Sequence, residues 1–456
     1  MYKQLQLLLS KVKPFPKEWY SDKPNGKQPD EPEEKPVELV ECSSYAELVE
    51  AWRDETHEGG KKGALHWTID IDITFSFMLA IVASTKQQGA QLWGRVIGKP
   101  GSAKTSLCEA IGASRDYCKN WSKFTGLHSG DSKVADEDKN INQIQNKTNI
   151  INEGAMIVEA SKEVQSTILS ELRDIWSGII RADYKNGEKQ DKTGIRSTWI
   201  IAGTNSLRTL NREQMGDRFL DSIIYKDDNA GSEEEDRLLD TIADIALDDV
   251  FAEHAEDDDK QDSTERRLAI SKTVGFVKYL RENTGRILAT QFKRPPKEVK
   301  QSFRQLAQLV AYMRVRSDTK TEVMNIESEL GTRLTAQITR LAVCMAVVLG
   351  KKEVDDEVMW RVACIANDTC TGMTYNVVKS VTEKPRSVSA IAATTRYSEE
   401  KVRHSIEILH QIKCVRADNT KTAGSPGKAT GLWRLSPQVV SLLKHLNVLL
   451  SKGEQF

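Results

Sequence analysis

The sequence predicts an α/β protein: a parallel sheet with helices on both faces, then a mainly helical region and a small mixed module. From Trp67 onward, apolar segments alternate with helical segments, a pattern typical of parallel sheets. Residues from about 264 to 380 are predicted to be nearly all helical, and the last part of the chain is mixed. We expect strands at Leu92–Ile97, Asn149–Ile151, Thr198–Ala202 and Ser222–Tyr225, and helices at Ile73–Ser84 and Lys104–Ser114.

The length of 456 residues exceeds what one hydrophobic core usually supports, so we expect several domains. The proline-dotted start of the chain predicts an irregular arm that leads to a short helix near Tyr45–Trp52. The predicted units are the arm at 1–62, an α/β core at 63–263 with an acidic insertion at 227–262, a helical region at 264–381 and a C-terminal module at 382–456.

Composition excludes several classes of protein. The seven cysteines (42, 108, 118, 344, 364, 370 and 414) include no CxxC pair, which argues against a zinc site and a disulfide framework and favours a reducing cytoplasm. Met1–Pro14 lacks the apolar block of a signal peptide, and the apolar run around Phe75–Ala83 is too short to span a bilayer. We therefore predict a cytoplasmic protein with no membrane partner.

Charge is distributed unevenly along the chain. The formal net charge of −1 identifies no partner. However, residues 227–262 carry 16 acidic and 2 basic side chains, whereas residues 384–456 carry 12 basic and 5 acidic ones. The acidic span fits a partner site, a shield against DNA or a solvated helix, of which the last is commonest for charge runs. The basic C-terminal end favours a nucleic-acid partner.

The stretch "VIGKPGSAKTSL", Val96–Leu107, has the form of a phosphate-binding loop. It follows an apolar strand and opens a helix, so backbone N–H groups and the helix N-terminus would face an anion. A glycine turn without a ligand is the alternative. Lys104 would contact the β and γ phosphates of ATP, and Thr105 would hold Mg²⁺. The predicted nucleotide-binding residues are Gly98, Pro100, Gly101, Ser102, Ala103, Lys104, Thr105 and Ser106.

The form G-x-P-G-x-A-K-[ST] resembles the phosphate loop of the minichromosome maintenance helicases, a branch of the AAA+ ATPases. The resemblance implies an AAA+ parallel-sheet core, a helical lid at 264–381 and ATP with Mg²⁺ as cofactors. In "TNIINEGAM" it makes Glu153 the residue that orients the attacking water, and it places Asn152 where the family has a metal-binding aspartate. A neutral amide holds Mg²⁺ less well than a carboxylate does, so hydrolysis can be slow.

Three further stretches match the same family. "STWIIAGTNS" ends in Asn205, which resembles the sensor-1 asparagine; "MGDRFLDSII" carries Arg218, which resembles the arginine finger offered to a neighbouring subunit. In "GTRLTAQITRLAVCMAVVL", Arg333 resembles the sensor-2 arginine of the lid. Each residue also admits a structural role: a loop acid at Glu153, a helix cap at Asn205, and surface arginines at 218 and 333.

Two regions predict contact with DNA. "IIRADYKNGEKQDKTGIR" contains an Asn-Gly hairpin signal and resembles the pre-sensor-1 hairpin that grips nucleic acid in the ring channel. A solvated hairpin is the alternative. "FTGLHSGDS", Phe124–Ser132, lies where the family has its second-helix insertion. The module at 382–456 resembles a winged helix, which binds either DNA or protein. The predicted DNA-binding residues are Arg181, Lys185, Lys189, Lys192, Arg403, Lys421 and Lys428.

The sequence therefore predicts an ATP-dependent DNA helicase or translocase. It would act as a homo-hexameric ring on single-stranded or forked DNA, with replication proteins as possible partners, because a finger such as Arg218 serves a neighbour's nucleotide. Phrases such as "LRDIWSG" look like ATPases of bacteriophages and mobile elements. Two rivals remain: a nucleotide-switched initiator or loader with little hydrolysis, and a protein-remodelling ATPase, for which the hairpin offers only Tyr184 as an aromatic pore residue.

Overall fold

Five strands form one parallel sheet in the order β2–β3–β6–β1–β7. The structure is a computed structural model, and it describes residues 39–53, 65, 67–89, 91–122, 124, 140–183, 189–209, 218–224, 264–314, 323–370, 372–418 and 431–456. The strands are β1 (Trp93–Gly98), β2 (Cys118–Asn120), β3 (Lys147–Ile151), β6 (Ser197–Gly203) and β7 (Phe219–Ile224). The predicted parallel sheet is confirmed.

Fourteen α-helices surround the strands in the described part of the chain. Their bounds are α1 (Tyr45–Trp52), α2 (Ile69–Ser84), α3 (Lys104–Gly112), α4 (Asn140–Gln143), α5 (Ala155–Glu159), α6 (Lys162–Trp176), α7 (Thr264–Thr290), α8 (Lys297–Arg314), α9 (Val323–Val348), α10 (Asp356–Thr369), α11 (Met373–Ser380), α12 (Val388–Thr395), α13 (Glu399–Gln411) and α14 (Pro437–Ser451).

Both faces of the sheet are buried, because alternate residues of each strand enter different cores. In β6, Ile200 packs on one side with α2, α3, α7 and α9, whereas Trp199 packs on the other side with α5 and α6. β3 divides in the same way, with Ile150 in the first core and Ile151 in the second. The near-continuous apolar strands of the sequence therefore have the two-sided burial expected of a parallel sheet.

A buried ion pair joins β1 to the edge strand β7. Arg95 in β1 lies opposite Asp221 in β7, and its Nε and Nη2 each donate to the carboxylate at 2.8 Å. Arg95 Nη1 also donates to the backbone oxygen of Leu207 at 3.2 Å. The bidentate geometry satisfies two charged groups that would be costly to bury alone.

The helical region is docked on the sheet. Side chains of α10 accept hydrogen bonds from the free side of the edge strand β7. Asp221 N donates to Thr369 Oγ1 at 2.9 Å, and Ile223 N donates to Asp368 Oδ2 at 3.0 Å. These side chains satisfy backbone groups that an open sheet edge would leave unpaired.

The C-terminal module at 382–456 combines helices and strands, as the mixed sequence pattern predicts. α12 ends at Arg396, which has a φ of +60°, and α13 begins after Ser398, whose side chain accepts from Lys401 N. The strands β8 (Arg386–Ser387), β9 (Val415–Ala417) and β10 (Leu432–Leu435) form an antiparallel sheet in the order β8–β10–β9. Helix α14 follows the last strand.

The cysteines and the apolar helices can be described together. All seven cysteines are free and buried, and burial raises the pKa of the Cys108, Cys118, Cys344 and Cys370 thiols to about 12. Among the described residues, no helix has the length and apolar character needed to cross a membrane.

Candidate nucleotide site at the carboxyl edge of the sheet

The carboxyl ends of β1, β6 and β3 lie side by side. We call the border of the sheet formed by these strand ends its carboxyl edge, and the border formed by the amino ends its amino edge. Ile97 of β1 is in register with Gly203 of β6, and Ile201 of β6 is in register with Ile151 of β3. The residues that follow these strands are therefore neighbours. Three predicted parts of the site come together there: the loop with Lys104, the pair Asn152–Glu153, and Asn205. This edge is where open parallel sheets bind ligands.

The loop after β1 is built for a close backbone turn. An added Cβ at Gly98 would lie 2.4 Å from Ser102 Oγ, so only glycine fits there. Gly101 has a φ of +79° and Ala103 a φ of +60°, and α3 begins at Lys104 without any side-chain cap. A helix that starts in this way presents its first backbone N–H groups to an anion.

The Lys104 side chain is hydrogen-bonded to other residues of its own loop. Its Nζ donates to Gly98 O at 2.9 Å, to Lys99 O at 2.5 Å and to Ser102 Oγ at 2.9 Å. Its residue is only 8% exposed, and burial lowers the pKa of Lys104, while the Glu153 carboxylate opposes that shift. The ammonium group thus lies in the loop without an ion-pair partner within it. Thr105 is exposed and Ser106 half-buried in the first turn of α3.

The left-handed backbone at Ala103 is a site of strain, because an L-residue other than glycine costs about 1–2 kcal/mol there. We expect Ala103→Val to lower the free energy of unfolding by about 1–2 kcal/mol, since a β-branched side chain tolerates this conformation least. Ala103→Gly is the control and should stay within about 1 kcal/mol of the parent. Urea denaturation measures both, and a valine variant as stable as the parent would contradict the left-handed backbone.

The end of β3 brings Asn152 and Glu153 to the same edge. Gly154 N donates to Ala202 O at 2.7 Å, which extends the pairing with β6 past the strand. An added Cβ at Gly154 would lie 2.5 Å from the Leu207 side chain, so glycine lets the chain cross the end of β6. Glu153 is exposed, and Asn152 Oδ1 is buried with no hydrogen-bond partner among the described residues.

The end of β6 supplies Thr204 and Asn205. Asn205 is exposed at the start of a short 3₁₀ helix, Asn205–Thr209, and the Thr204 and Ser206 hydroxyl groups lie 2.9 Å apart. Arg95 anchors this helix through Leu207 O. The role of Arg95 was not predicted, although a lone arginine inside the apolar strand "WGRVIG" is a signal that could have found it.

Arg218 and Arg333 lie away from this edge. Arg218 directly precedes β7, at the amino end of the strand. A strand rises about 3.3 Å per residue, so Arg218 is about 20 Å from the carboxyl end of the sheet, where the phosphate loop follows β1. Its residue is 8% exposed, and its backbone oxygen accepts from Gln337 Nε2 at 2.6 Å. Half-buried Arg333 is one turn before Gln337 on α9. The structure therefore brings the two arginines near each other and not to Lys104 of the same chain.

The predicted hairpin exists as two antiparallel strands, β4 (Ile179–Asp183) and β5 (Lys189–Thr193). Arg181 is in register with Asp191, Asp183 with Lys189, and Ile180 with Lys192. The base is closed by Ile195 N, which donates to Gly178 O at 3.1 Å. The predicted turn, with Tyr184 and Lys185, lies outside the described residues.

The remaining predicted residues are spread out. Arg403 is exposed on α13, whereas Lys421 and Lys428 lie outside the described residues, as does the acidic span 227–262. Of the predicted insertion Phe124–Ser132 only Phe124 is described, and it is buried against Trp121 and Trp199.

Comparison with known proteins gives little further information. No protein-family profile matches this chain, and no curated protein does. Solved structures that match include the apo A form of the C-terminal region of NrS-1, with 12% identity over 73% of this chain and 72% of that chain and a TM-score of 0.27. A TM-score this low does not establish a shared fold, so function has to be argued from the residues themselves.

Proposed function

We propose that this protein is an ATPase that couples ATP hydrolysis to movement along DNA and thereby to strand separation. The observation that carries the proposal is the meeting of Lys104, Glu153 and Asn205 at the carboxyl edge of one parallel sheet. A phosphate-binding lysine, a water-orienting acid and a polar sensor on adjacent strands form the constellation needed for phosphoryl transfer to water. The core is an AAA+ unit at 63–263 with a lid at 264–381, as the sequence resemblance implies.

The chain's own groups fit MgATP. Lys104 Nζ is bound only by neutral oxygens of its loop, so it can exchange them for phosphate oxygens. Buried Asn152 Oδ1 lacks a partner among the described residues, and Thr105 is exposed in the first turn of α3; these two groups would hold the metal. When bound, Mg²⁺ neutralises charge on the phosphate oxygens.

Each residue at the edge has a distinct task. Lys104 stabilises the negative charge that develops on the transferred phosphoryl group. Glu153, exposed and close enough to affect Lys104, orients the attacking water and accepts its proton. Asn205 fixes that water from the neighbouring strand.

The positions of Arg218 and Arg333 favour action between subunits. Arg218 precedes β7 at the amino end of the sheet, and Arg333 is one turn before Gln337, which donates to the backbone oxygen of Arg218. In a closed ring, with six copies as the family resemblance implies, one surface of each subunit faces the nucleotide of the next. We assign both arginines to the neighbour's phosphates, where they would stabilise transition-state charge.

DNA would be held by the β4–β5 hairpin and by the module at 382–456, which we propose is a winged helix. The module has two helices followed by a β9–β10 ribbon, and it carries exposed Arg403 on its second helix. Replication of a phage or mobile element is the proposed setting.

Steady-state ATP hydrolysis with and without single-stranded DNA, together with unwinding of a forked duplex, tests the proposal. We expect DNA to stimulate turnover and the fork to be separated only with ATP. Stimulation by an unfolded protein in place of DNA would indicate a protein-remodelling ATPase and contradict the proposal.

Asn152 favours a second candidate, a nucleotide-switched initiator or loader with little hydrolysis, because a neutral amide stands where a metal ligand is needed. We expect Asn152→Asp to raise the rate of ATP hydrolysis about 10-fold, since the carboxylate would improve the hold on Mg²⁺. Asn447→Asp is the control, because it makes the same change at an exposed position on α14 that has no part in the proposed site. Unchanged turnover in Asn152→Asp would mean that Asn152 does not limit hydrolysis.

A further inference from the structure

The amino edge of the sheet, opposite the nucleotide site, carries a group of cations that form no ion pairs. We call it the basic strip; it consists of Lys119, Lys147, Arg196, Arg281 and Arg340. Within the described part of the chain, no carboxylate lies within ion-pair distance of any of these five side chains. Their partners are neutral groups instead.

The neutral partners fix the strip in place. Arg196 donates to Gly89 O at 2.9 Å and to Gln88 Oε1 at 2.8 Å, and Lys147 Nζ donates to Arg115 O at 3.0 Å. Arg340 donates to the backbone oxygens of Gln87 and Gln88, and Arg281 to that of Asn146. Lys119 Nζ lies 5.4 Å from the Trp121 ring centroid.

These contacts make the strip continuous. Arg340 and Arg196 hold the same loop at Gln87–Gly89, and Asn146 N donates to Arg196 O at 2.7 Å. Asn146 O in turn binds Arg281, and Lys147 is the next residue. Like charges in the strip also affect one another: Arg196 helps to lower the pKa of Arg340, and Lys147 that of Lys119, in each case after burial as the larger cause.

Arg281 is the most deeply buried member of the basic strip. Its residue is only 6% exposed, and its Nε and Nη1 have no hydrogen-bond partner among the described residues. Its guanidinium lies over the Tyr117 ring, 5.6 Å from the centroid. Because Nε and Nη1 are enclosed by protein, Arg281 adds positive charge beneath the strip and is not itself a phosphate contact.

We propose that the basic strip binds the phosphate backbone of DNA. Fixed cations held by neutral groups suit phosphate contacts that position a strand without reading its sequence. Two carboxylates, Asp116 and Glu282, lie near the strip, so positive charge is in excess there. Glu282 accepts a hydrogen bond from Tyr117 OH at 2.7 Å. Arg196 also adjoins the base of the β4–β5 hairpin at Ile195, so the strip continues the proposed DNA path. It shares the DNA partner of the proposed function and uses none of its nucleotide residues.

The test is the affinity of the full-length protein for a fluorescein-labelled oligothymidine strand, measured without nucleotide over a series of salt concentrations. The variant is Lys119→Gln/Lys147→Gln, because both side chains are half-buried at the surface. For single-stranded DNA, log K falls with log salt concentration, and each phosphate contact contributes about 0.7 to the magnitude of that slope. Loss of two contacts should therefore reduce the magnitude of the slope by about 1.4. The matched control is Lys297→Gln/Lys300→Gln, two exposed lysines on α8.

The outcomes separate clearly. A lower slope in the strip variant alone supports the proposal, with thermal melting used to confirm that both variants are folded. Equal slopes in the strip variant and the parent, or an equal loss in the control, would overturn it. Displacement of DNA by polyglutamate at equal charge concentration would assign the strip to an acidic protein segment and also overturn it. Failure of DNA to stimulate ATP turnover would count against the proposed motor and leave the binding result intact.

Discussion

Lys104→Ala is expected to reduce ATP turnover about 100- to 1000-fold, with or without DNA. The reason is that Lys104 Nζ is the buried cation at the carboxyl edge, held by Gly98 O, Lys99 O and Ser102 Oγ in the place where phosphate charge has to be met. Steady-state release of inorganic phosphate measures the effect. DNA binding in the absence of nucleotide should be retained, because neither the hairpin nor the basic strip contains Lys104.

The matched control for this change lies in the same loop. Lys99 has the same charge and is exposed, and it contributes only its backbone oxygen to the Lys104 hydrogen bonds. Lys99→Ala should therefore keep most of the turnover. Comparable activity of Lys104→Ala and the parent would show that this loop is not the nucleotide site, and the proposed function would fail.

The sequence predicted the parts of the fold that have a strong local signal. The strands around Val96, Ile150, Ile200 and Ile223 were found from their apolar residues. The predicted starts at Asn149 and Ser222 were too late, because buried polar residues such as Thr148 and Asp221 interrupt the apolar pattern. Strand β2 was missed because it is short and only Cys118 of it is buried. Helix α2 begins at Ile69 and not at Ile73, since Thr68 accepts from Ile71 N and the aspartates of the first turn favour a helix start.

The residues of the candidate site were predicted one by one, but the order of the strands that carry them was not. Lys104, Glu153 and Asn205 each follow an apolar strand, so a parallel sheet was enough to expect them at one edge. The sequence gives no information on which strands are adjacent, and the insertion of β6 between β1 and β3 decides that Asn205 lies between the other two. The basic strip was missed because its residues come from five separate segments and have no common motif.

Glu153→Gln is expected to lower ATP hydrolysis about 100- to 10,000-fold while ATP binding persists. The amide keeps the size of the side chain and removes the carboxylate that we propose accepts the proton of the attacking water. Binding of a fluorescent ATP analogue and single-turnover hydrolysis measure the two steps separately. Exposed Glu159 on α5 provides the control, because Glu159→Gln removes the same charge after the first turn of that helix.

The same variant has a second effect, on the charge of Lys104. The Glu153 carboxylate raises the pKa of Lys104 against the larger lowering caused by burial. Without that carboxylate the pKa of Lys104 falls further, so its ammonium group loses its proton at a lower pH. ATP affinity of Glu153→Gln should therefore decline at a lower pH than that of the parent as the solution is made alkaline, whereas Glu159→Gln should follow the parent. Coincident pH profiles of Glu153→Gln and the parent would mean that Glu153 does not act on the charge of Lys104.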